Sequence, residues 1–283
     1  MISKKNKFFL NKAIKKIKSN GFAIINDCFS ENECKNLKKE IFSLKKKLNA
    51  NPYFKDEGSR DGQLIIRDLI LRSPNTFLKI ISNQLLMRIV KSIFNDKFIL
   101  DNIMASDSLN VKNRYSRKVH IDSQLPVTGI DLTTDVIVMI CLDPFTKNNG
   151  ATKLWPNSHN SGIRIHHSQK KLKKKQENFQ YLEAPIGSVA FILGQTWHQV
   201  GKNNSNNTRM SIFLHYKRWW MKPSTNFTKC GKKIFNLLNN NQKELLGFNS
   251  ISPTYDFKKK IKKIYTLRDI KKVSKDYSKS LQY

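Results

Sequence analysis

The sequence predicts a mainly β domain with flanking helices, and three features of its pattern predict it. From residue 98 the chain breaks into short β-rich runs, "KFILDNIMAS", "KVHID", "DVIVMICL", "ATKLWP", "FQYLEAP", "GSVAFILG" and "RMSIFLHYKRWW", separated by Asn, Gly and Pro. Several short strands between turn signals indicate a sandwich or a barrel. Ahead of them, apolar residues recur at helical spacing, and from about 221 onward the chain returns to helix-like and polar segments. With 283 residues the chain can bury a substantial core as one large domain. The expected layout is a basic N-terminal helix over 1–20, the main domain over 21–250 and a basic C-terminal helical tail over 251–283.

The first helix places Leu10, Ile14 and Ile17 on one face, and "GFAIIND" reads as a strand. In "SENECKNLKKEIFSLKKKL", Ser30 and Glu33 stand in capping-box spacing, and Cys34, Leu37, Ile41, Leu44 and Leu48 form the apolar stripe. After the polar loop "NPYFKDEGSRDG" a second helical region spans about 75 to 94, with Leu86, Ile89, Val90 and Ile93 at helical spacing. No internal repeat is visible.

Lys and Arg total 52 against 21 Asp and Glu, a formal charge of +31. Such a charge invites nucleic acid. The lysines, however, are scattered through the N-terminal helix, the "KKLKKK" run at 170–175 and the tail, with no Arg-rich stripe among stacking aromatics and no zinc-finger or RNA-recognition motif. Solvated faces account for them, and nucleic acid is not the expected partner. Cys28, Cys34, Cys141 and Cys230 show no C-x-x-C spacing and no disulfide framework. The basic start resembles a signal peptide, but its apolar stretch is only Phe8, Phe9 and Leu10, and no segment approaches a membrane span. A cytoplasmic location is expected.

The chemistry concentrates in two places. In an extended chain residues i and i+2 share a face, so His120 and Asp122 of "HID" can aim at one point. Alone, this pair reads equally well as a surface histidine beside an acid. Downstream, His198 ends an apolar strand and Arg209 opens the next one. His120, Asp122 and His198 together make a two-histidine, one-carboxylate set, which occupies one face of an octahedron and leaves the opposite positions open, as in non-haem Fe(II) oxygenases. A guanidinium such as Arg209 can grip the distal carboxylate of a dicarboxylic keto acid whose other end chelates the metal.

From about 21 to 250 the chain resembles the phytanoyl-CoA dioxygenase family of Fe(II)/2-oxoglutarate oxygenases. The resemblance rests on "GFAIINDCFSENECKNLKKEI", "HID", "NNGATKLWPNSH", "GSVAFILGQTWHQVGKNNSNNTR" with its histidine eleven residues before the arginine, and "YKRWWMKPSTNF", all in order. It implies a double-stranded β-helix (jelly-roll, cupin-like) core, Fe(II) held by His120, Asp122 and His198, and 2-oxoglutarate held by Arg209, with O2 as the second cosubstrate. The family reaction couples oxidative decarboxylation of 2-oxoglutarate, giving succinate and carbon dioxide, to hydroxylation of an unactivated C–H bond. Halogenating relatives replace the carboxylate of H-x-D with a small residue; Asp122 is present here, so hydroxylation is expected. No catalytic residue beyond the metal centre is implied. An inactive jelly-roll binding protein that retains the motif is the alternative.

Two departures from the family pattern affect the cosubstrate pocket. Val200 stands where the family often has a hydroxyl residue, and Ser211, on the strand face of Arg209, could supply the missing hydrogen bond. Pro156-Asn157-Ser158-His159 replaces the family's Pro-Gly-Ser-His turn, and Asn tolerates positive φ. Asn102 either reaches the cosubstrate or is satisfied within its strand. His215 shares the face of Arg209 and reads as a cavity residue or a core histidine, and His159 as a turn stabiliser. Trp155 and Trp197 flank the expected cavity, with packing as their default role. Arg114, Arg117 and Lys118 precede the metal ligands and suggest an anionic small-molecule substrate, whose identity lies in loops 50–63, 105–118 and 160–180.

Overall fold

The computed structural model describes residues 4–48, 63–108, 118–123, 125, 128, 133–163, 165, 178–248, 254–256 and 261–263. Helix α1 (Lys4–Asn20) leads into strand β1 (Phe22–Ile25) and helix α2 (Glu31–Lys47). Strand β2 (Gln63–Ile66) is followed by helices α3 (Leu69–Arg72), α4 (Pro74–Ile81) and α5 (Gln84–Phe94). The β core comprises β3 (Phe98–Ser108), β4 (Asp135–Cys141), β5 (Lys153–Leu154), β6 (Gln180–Tyr181), β7 (Val189–Leu193), β8 (His198–Gln199) and β9 (Arg209–Arg218). Helices α6 (Gly231–Leu237) and α7 (Asn240–Leu245) follow, then a two-stranded antiparallel ribbon of β10 (Thr254–Asp256) and β11 (Ile261–Lys263).

The capping box starts α2 as its spacing predicts. The Ser30 side chain accepts from the Glu33 N–H, and Glu33 accepts from the Ser30 N–H at 2.7 Å. Cys34, Leu37, Ile41 and Leu44 are buried beneath it. Where one helical region was expected over about 75 to 94, two helices form. Asn83 breaks the run because its side chain accepts from the Leu85 and Leu86 N–H groups and so begins α5 afresh. In the tail expected to be helical, the six described residues of 251–283 form the ribbon; "NPYFKDEGSRDG" lies outside the described residues apart from its neighbour β2.

Two antiparallel sheets build the jelly roll. The larger has strand order β1-β7-β4-β9-β3-β2 and the smaller β6-β5-β8. The helices cover one face of the large sheet, where Val138, Ile140, Phe191, Ile212 and Leu214 join Ile17, Ile41, Phe77 and Ile89 in one apolar cluster. Helix α1 packs into the main core through Ile17. Between the sheets lies a second cluster with Phe22, Ile137, Met139, Leu154 and Ile192. Each fully buried aliphatic side chain contributes about 1.5–3 kcal/mol, so these two layers supply most of the driving force.

The junction of α1 with β1 is held by close approaches. Gly21, at φ +87°, joins α1 to β1 where a Cβ would lie 2.5 Å from Thr196 Oγ1 and 2.7 Å from His159 Nδ1. Only glycine combines that conformation with that space. His159 is buried, and its Nε2 lies 3.1 Å from the Lys18 carbonyl oxygen, to which it donates. Burial lowers the pKa of His159, keeping it a neutral strut between its turn and the end of α1. Asn157 takes the left-handed conformation, φ 62°, that the family's glycine would occupy.

Candidate active site

His120 does not sit in a strand of its own, as the short β-rich run "KVHID" suggests. It makes a two-residue bridge to His198, with both N–H···O bonds at 3.0 Å, and extends the small sheet by one position. The chain then turns, because the N–H groups of Asp122 and Ser123 both donate to the Gly194 carbonyl at 2.9 and 3.0 Å. The segments 120–123 and 194–198 are thereby locked together, and the side chains of His120, Asp122 and His198 converge.

One candidate donor atom from each of these three residues lies within 4.8 Å of the others. His120 Nε2 is 3.7 Å from Asp122 Oδ1, and His198 Nε2 is 3.5 Å from Oδ2. Each imidazole is oriented from behind. His120 Nδ1 is 3.0 Å from the Lys118 carbonyl and His198 Nδ1 is 3.0 Å from the Thr196 carbonyl. A carbonyl accepts only, so in each ring Nδ1 carries a proton and Nε2 is the nitrogen turned toward the carboxylate, the orientation in which a neutral imidazole can hold a metal. Behind Asp122 runs a buried chain in which Ser123 Oγ lies 2.7 Å from Thr134 Oγ1, which donates to Asp135 Oδ2 at 2.5 Å. Burial raises the pKa of Asp135, and the charge of Asp122 acts in the same direction.

A cavity of about 120 Å³ opens on the three residues. The large sheet contributes Ile137, Met139, Ile192, Phe213 and His215, and the opposite wall contributes Thr152 and Val200. Its polar points outside the triad are Gln63, Ser106, Thr152 and His215, and no Lys or Arg of the described residues lines it. Sequence reading placed His215 here as one of two options; it missed Gln63, Ser106 and Thr152. Gln63 and Ser106 stand at the edges of the loops expected to select substrate, joined by a 3.1 Å bond from Gln63 Nε2 to Ser106 Oγ. Strand alternation from Met104 would have found Ser106.

Arg209 occupies the same face of β9 as Phe213 and His215, four and six residues along. Its guanidinium is buried, with 2% of the residue exposed, and stacks 3.9 Å from the centroid of Phe145. Nε and Nη1 have no hydrogen-bond partner among the described residues. Burial depresses its pKa to about 10, against the opposing pull of Cys141, Asp143 and Asp107. A buried cation with unpaired N–H groups is costly unless an anion completes it.

The remaining expected site residues are placed as follows. Ser211 is buried beside Arg209 and its Oγ is 3.5 Å from the Ser106 carbonyl. Asn102 follows a β-bulge, and its Nδ2 donates to Asp101 at 2.7 Å while its Oδ1 has no partner among the described residues. It does not line the cavity, although its cross-strand neighbour His215 does. Trp155 is also absent from the cavity wall. Like Trp197, Val119 and Ile121, it packs on the outer side of the small sheet, because each is adjacent in sequence to an inward-pointing residue: Leu154 for Trp155, His198 for Trp197 and His120 for Val119 and Ile121. Arg114 and Arg117 lie outside the described residues, and Lys118 is exposed.

A sequence model of phytanoyl-CoA dioxygenase (PhyH) matches residues 17–211. The chain belongs to the phytanoyl-CoA dioxygenase family. As a member it is a 2-oxoglutarate-dependent oxygenase, working with Fe(II), 2-oxoglutarate and O2. Among curated relatives, an uncharacterized protein of Mycobacterium tuberculosis is 20% identical over 214 residues, 74% of this chain and 76% of its own. Dioxygenase af480 of Aspergillus fumigatus is 28% identical over 177 residues, 60% of this chain and 54% of its own. Solved structures with the same fold include the non-heme alpha ketoglutarate dependent epimerase SnoN from nogalamycin biosynthesis, with a TM-score of 0.60 and 15% identity, covering 75% of this chain and 82% of that one. HygX from Streptomyces hygroscopicus, with nickel and 2-oxoglutarate bound, gives a TM-score of 0.59 at 14% identity, covering 77% and 87%. Among the described residues of this family member, no helix is long and apolar enough to cross a membrane.

Proposed function

We propose that the protein hydroxylates a small molecule at a carbon admitted to the cavity beside His120, Asp122 and His198. The observation that carries the reading is the convergence of these three donors within 4.8 Å, with both imidazoles held by backbone carbonyls in the metal-ready orientation. Fe(II) bound there supplies O2 activation coupled to decarboxylation of 2-oxoglutarate. His120 and His198 would hold the metal through Nε2 and Asp122 through its carboxylate. Arg209 receives the distal carboxylate of 2-oxoglutarate, and Phe145 fixes the plane of the guanidinium beneath it.

The rest of the wall selects and protects. Ile137, Met139, Ile192, Val200 and Phe213 keep water from the reacting carbon, while Gln63, Thr152 and His215 offer hydrogen bonds to a substrate. The described part of the wall is largely apolar, which suits an apolar reacting carbon, while Arg114 and Arg117 lie outside the described residues. The four free cysteines accord with a reducing, cytoplasmic setting.

Screening small molecules for those that stimulate succinate release identifies a substrate, and turnover under isotopically labelled O2 then tests the reaction. One labelled oxygen is expected in the product and one in succinate. A product changed without gaining oxygen, as in stereochemical inversion, contradicts hydroxylation.

A further inference from the structure

Thr152 faces the catalytic cavity, and Lys153, next to it on β5, faces the other way. There it lines a separate pocket of about 330 Å³ with Lys147, Lys202, Tyr181, Asn148 and Asn204. The ammonium groups of Lys147 and Lys153 both approach the Tyr181 ring, at 5.7 and 5.8 Å from its centroid, and that of Lys153 lies 4.4 Å from the centre of Phe179. The aromatic faces thus hold two like charges near each other. Burial and the charge of Lys147 lower the pKa of Lys153, the direction expected for a cation crowded by another.

What is missing from this pocket is a counter-ion. Elsewhere the protein pairs its anchored lysines with acids: Lys38 with Asp143, Lys45 with Asp107 at 2.7 Å, and Lys217 with Asp101 at 3.0 Å. The partly buried Lys153 makes no ion pair among the described residues, and neither do Lys147 and Lys202, whose side chains are exposed. The nearby carboxylate, Glu183, accepts from the backbone N–H of Lys147 at 3.1 Å. The walls are also fixed in place. The turns at 146–149 and 201–205 are bridged at Asn149 and Asn203, the Asn204 N–H donates to the Asn148 carbonyl at 2.9 Å, and Gly150 packs against Gly201 with no room for a Cβ.

We propose that this pocket is a binding site for a compact polyanion of the diphosphate type, carried by a small molecule, on the opposite face of the small sheet from the metal ligands. Three ammonium groups and two asparagines around a concavity match a ligand of several closely spaced negative oxygens better than a single carboxylate. An extended nucleic-acid strand fits less well. It would need open aromatic faces for stacking, and Phe179 is already flanked by Lys153 and, at 5.5 Å, by Trp155.

The test is calorimetric titration of the full-length protein with sodium pyrophosphate, with orthophosphate and a single-stranded oligonucleotide as comparison probes. Saturating 2-oxoglutarate is present throughout, to occupy Arg209. Pyrophosphate should bind once per chain and more tightly than orthophosphate. Lys153→Gln should weaken it roughly tenfold, and joint replacement of Lys147, Lys153 and Lys202 by Gln roughly 100-fold or more. The same replacement of the exposed Lys16, Lys46 and Lys47 removes equal charge elsewhere and should change affinity less than about threefold. Lys202→Gln, on an exposed side chain, provides a variant whose folding is not at issue. Equal losses in the two triple variants would reduce the effect to net charge and overturn the site. So would absence of pyrophosphate binding, or oligonucleotide binding that depends on these lysines and that pyrophosphate fails to displace.

Discussion

The two faces of the large sheet are made by the same strands and do opposite things. Along β9, Met210, Ile212, Leu214 and Tyr216 point at the helices and are sealed in apolar contact, whereas Arg209, Ser211, Phe213 and His215 point into the jelly roll. The helix side spends its area on burial. The inner side carries a buried cation, a serine bonded to a strand carbonyl and a histidine open to a cavity, none of which a purely structural core requires. Stability and chemistry are therefore separable by a shift of one residue along a strand, because side chains alternate with period two.

That separation can be broken from the inner side first. His198→Ala is expected to abolish Fe(II) binding while leaving the melting temperature nearly unchanged, since His198 holds its place by backbone bonds that alanine preserves. Anaerobic Fe(II) titration with thermal melting checks both halves; metal binding that survives would place the site elsewhere. From the helix side, Leu214→Ala should cost about 2–5 kcal/mol of stability through the cavity it leaves. In denaturant melts the loss appears in the midpoint, while the molecules that remain folded keep their Fe(II) affinity. A loss of metal affinity in folded Leu214→Ala would mean the two faces are coupled.

The smallest effect lies far from both faces. Ser30→Ala removes the cap of α2 and should cost about 1 kcal/mol. The hydrogen bonds from Ser30 hold the pKa of Glu33 below its ordinary value. A carboxylate depressed on folding adds stability above its unfolded pKa, about 4.3, and that contribution is lost as the pH falls through the lower folded value. The gap between wild type and Ser30→Ala should therefore narrow on acidification below about pH 4. A gap that stays constant with pH would separate Glu33 from the cap.

How much of this was legible in the sequence depends on the length of each signal. The alternation "RMSIFLHY" of β9 displays both faces, and the pairing of an H-x-D with a later His and Arg displayed the candidate metal and cosubstrate groups. By contrast "DVIVMIC" shows no alternation, because β4 is buried on both sides by the two clusters. Strands β5, β6 and β8 have two residues each, too few to show a period. Trp155 was therefore set beside the cavity when it lies behind the sheet, and the bridge that replaces a strand at His120 was hidden, since it exists only through His198. The lysine pocket was equally hidden, its members coming from three separate segments that only the fold assembles.

The separation of faces is tested most directly at Arg209, the residue where burial and chemistry conflict. Anaerobic Fe(II) protein titrated with 2-oxoglutarate should develop a visible charge-transfer band. In Arg209→Ala the affinity read from that band should fall by about 30-fold to several-thousand-fold, equivalent to roughly 2–5 kcal/mol for truncating one partner of a desolvated charge pair. Fe(II) affinity and the melting temperature should hold, because the alanine variant also sheds a buried cation whose Nε and Nη1 had no partner. Arg209→Lys should recover part of the binding, supplying charge without the planar fork. An Arg209→Ala protein that unfolds, or that binds 2-oxoglutarate as tightly as the wild type, would show that the guanidinium belongs to the scaffold.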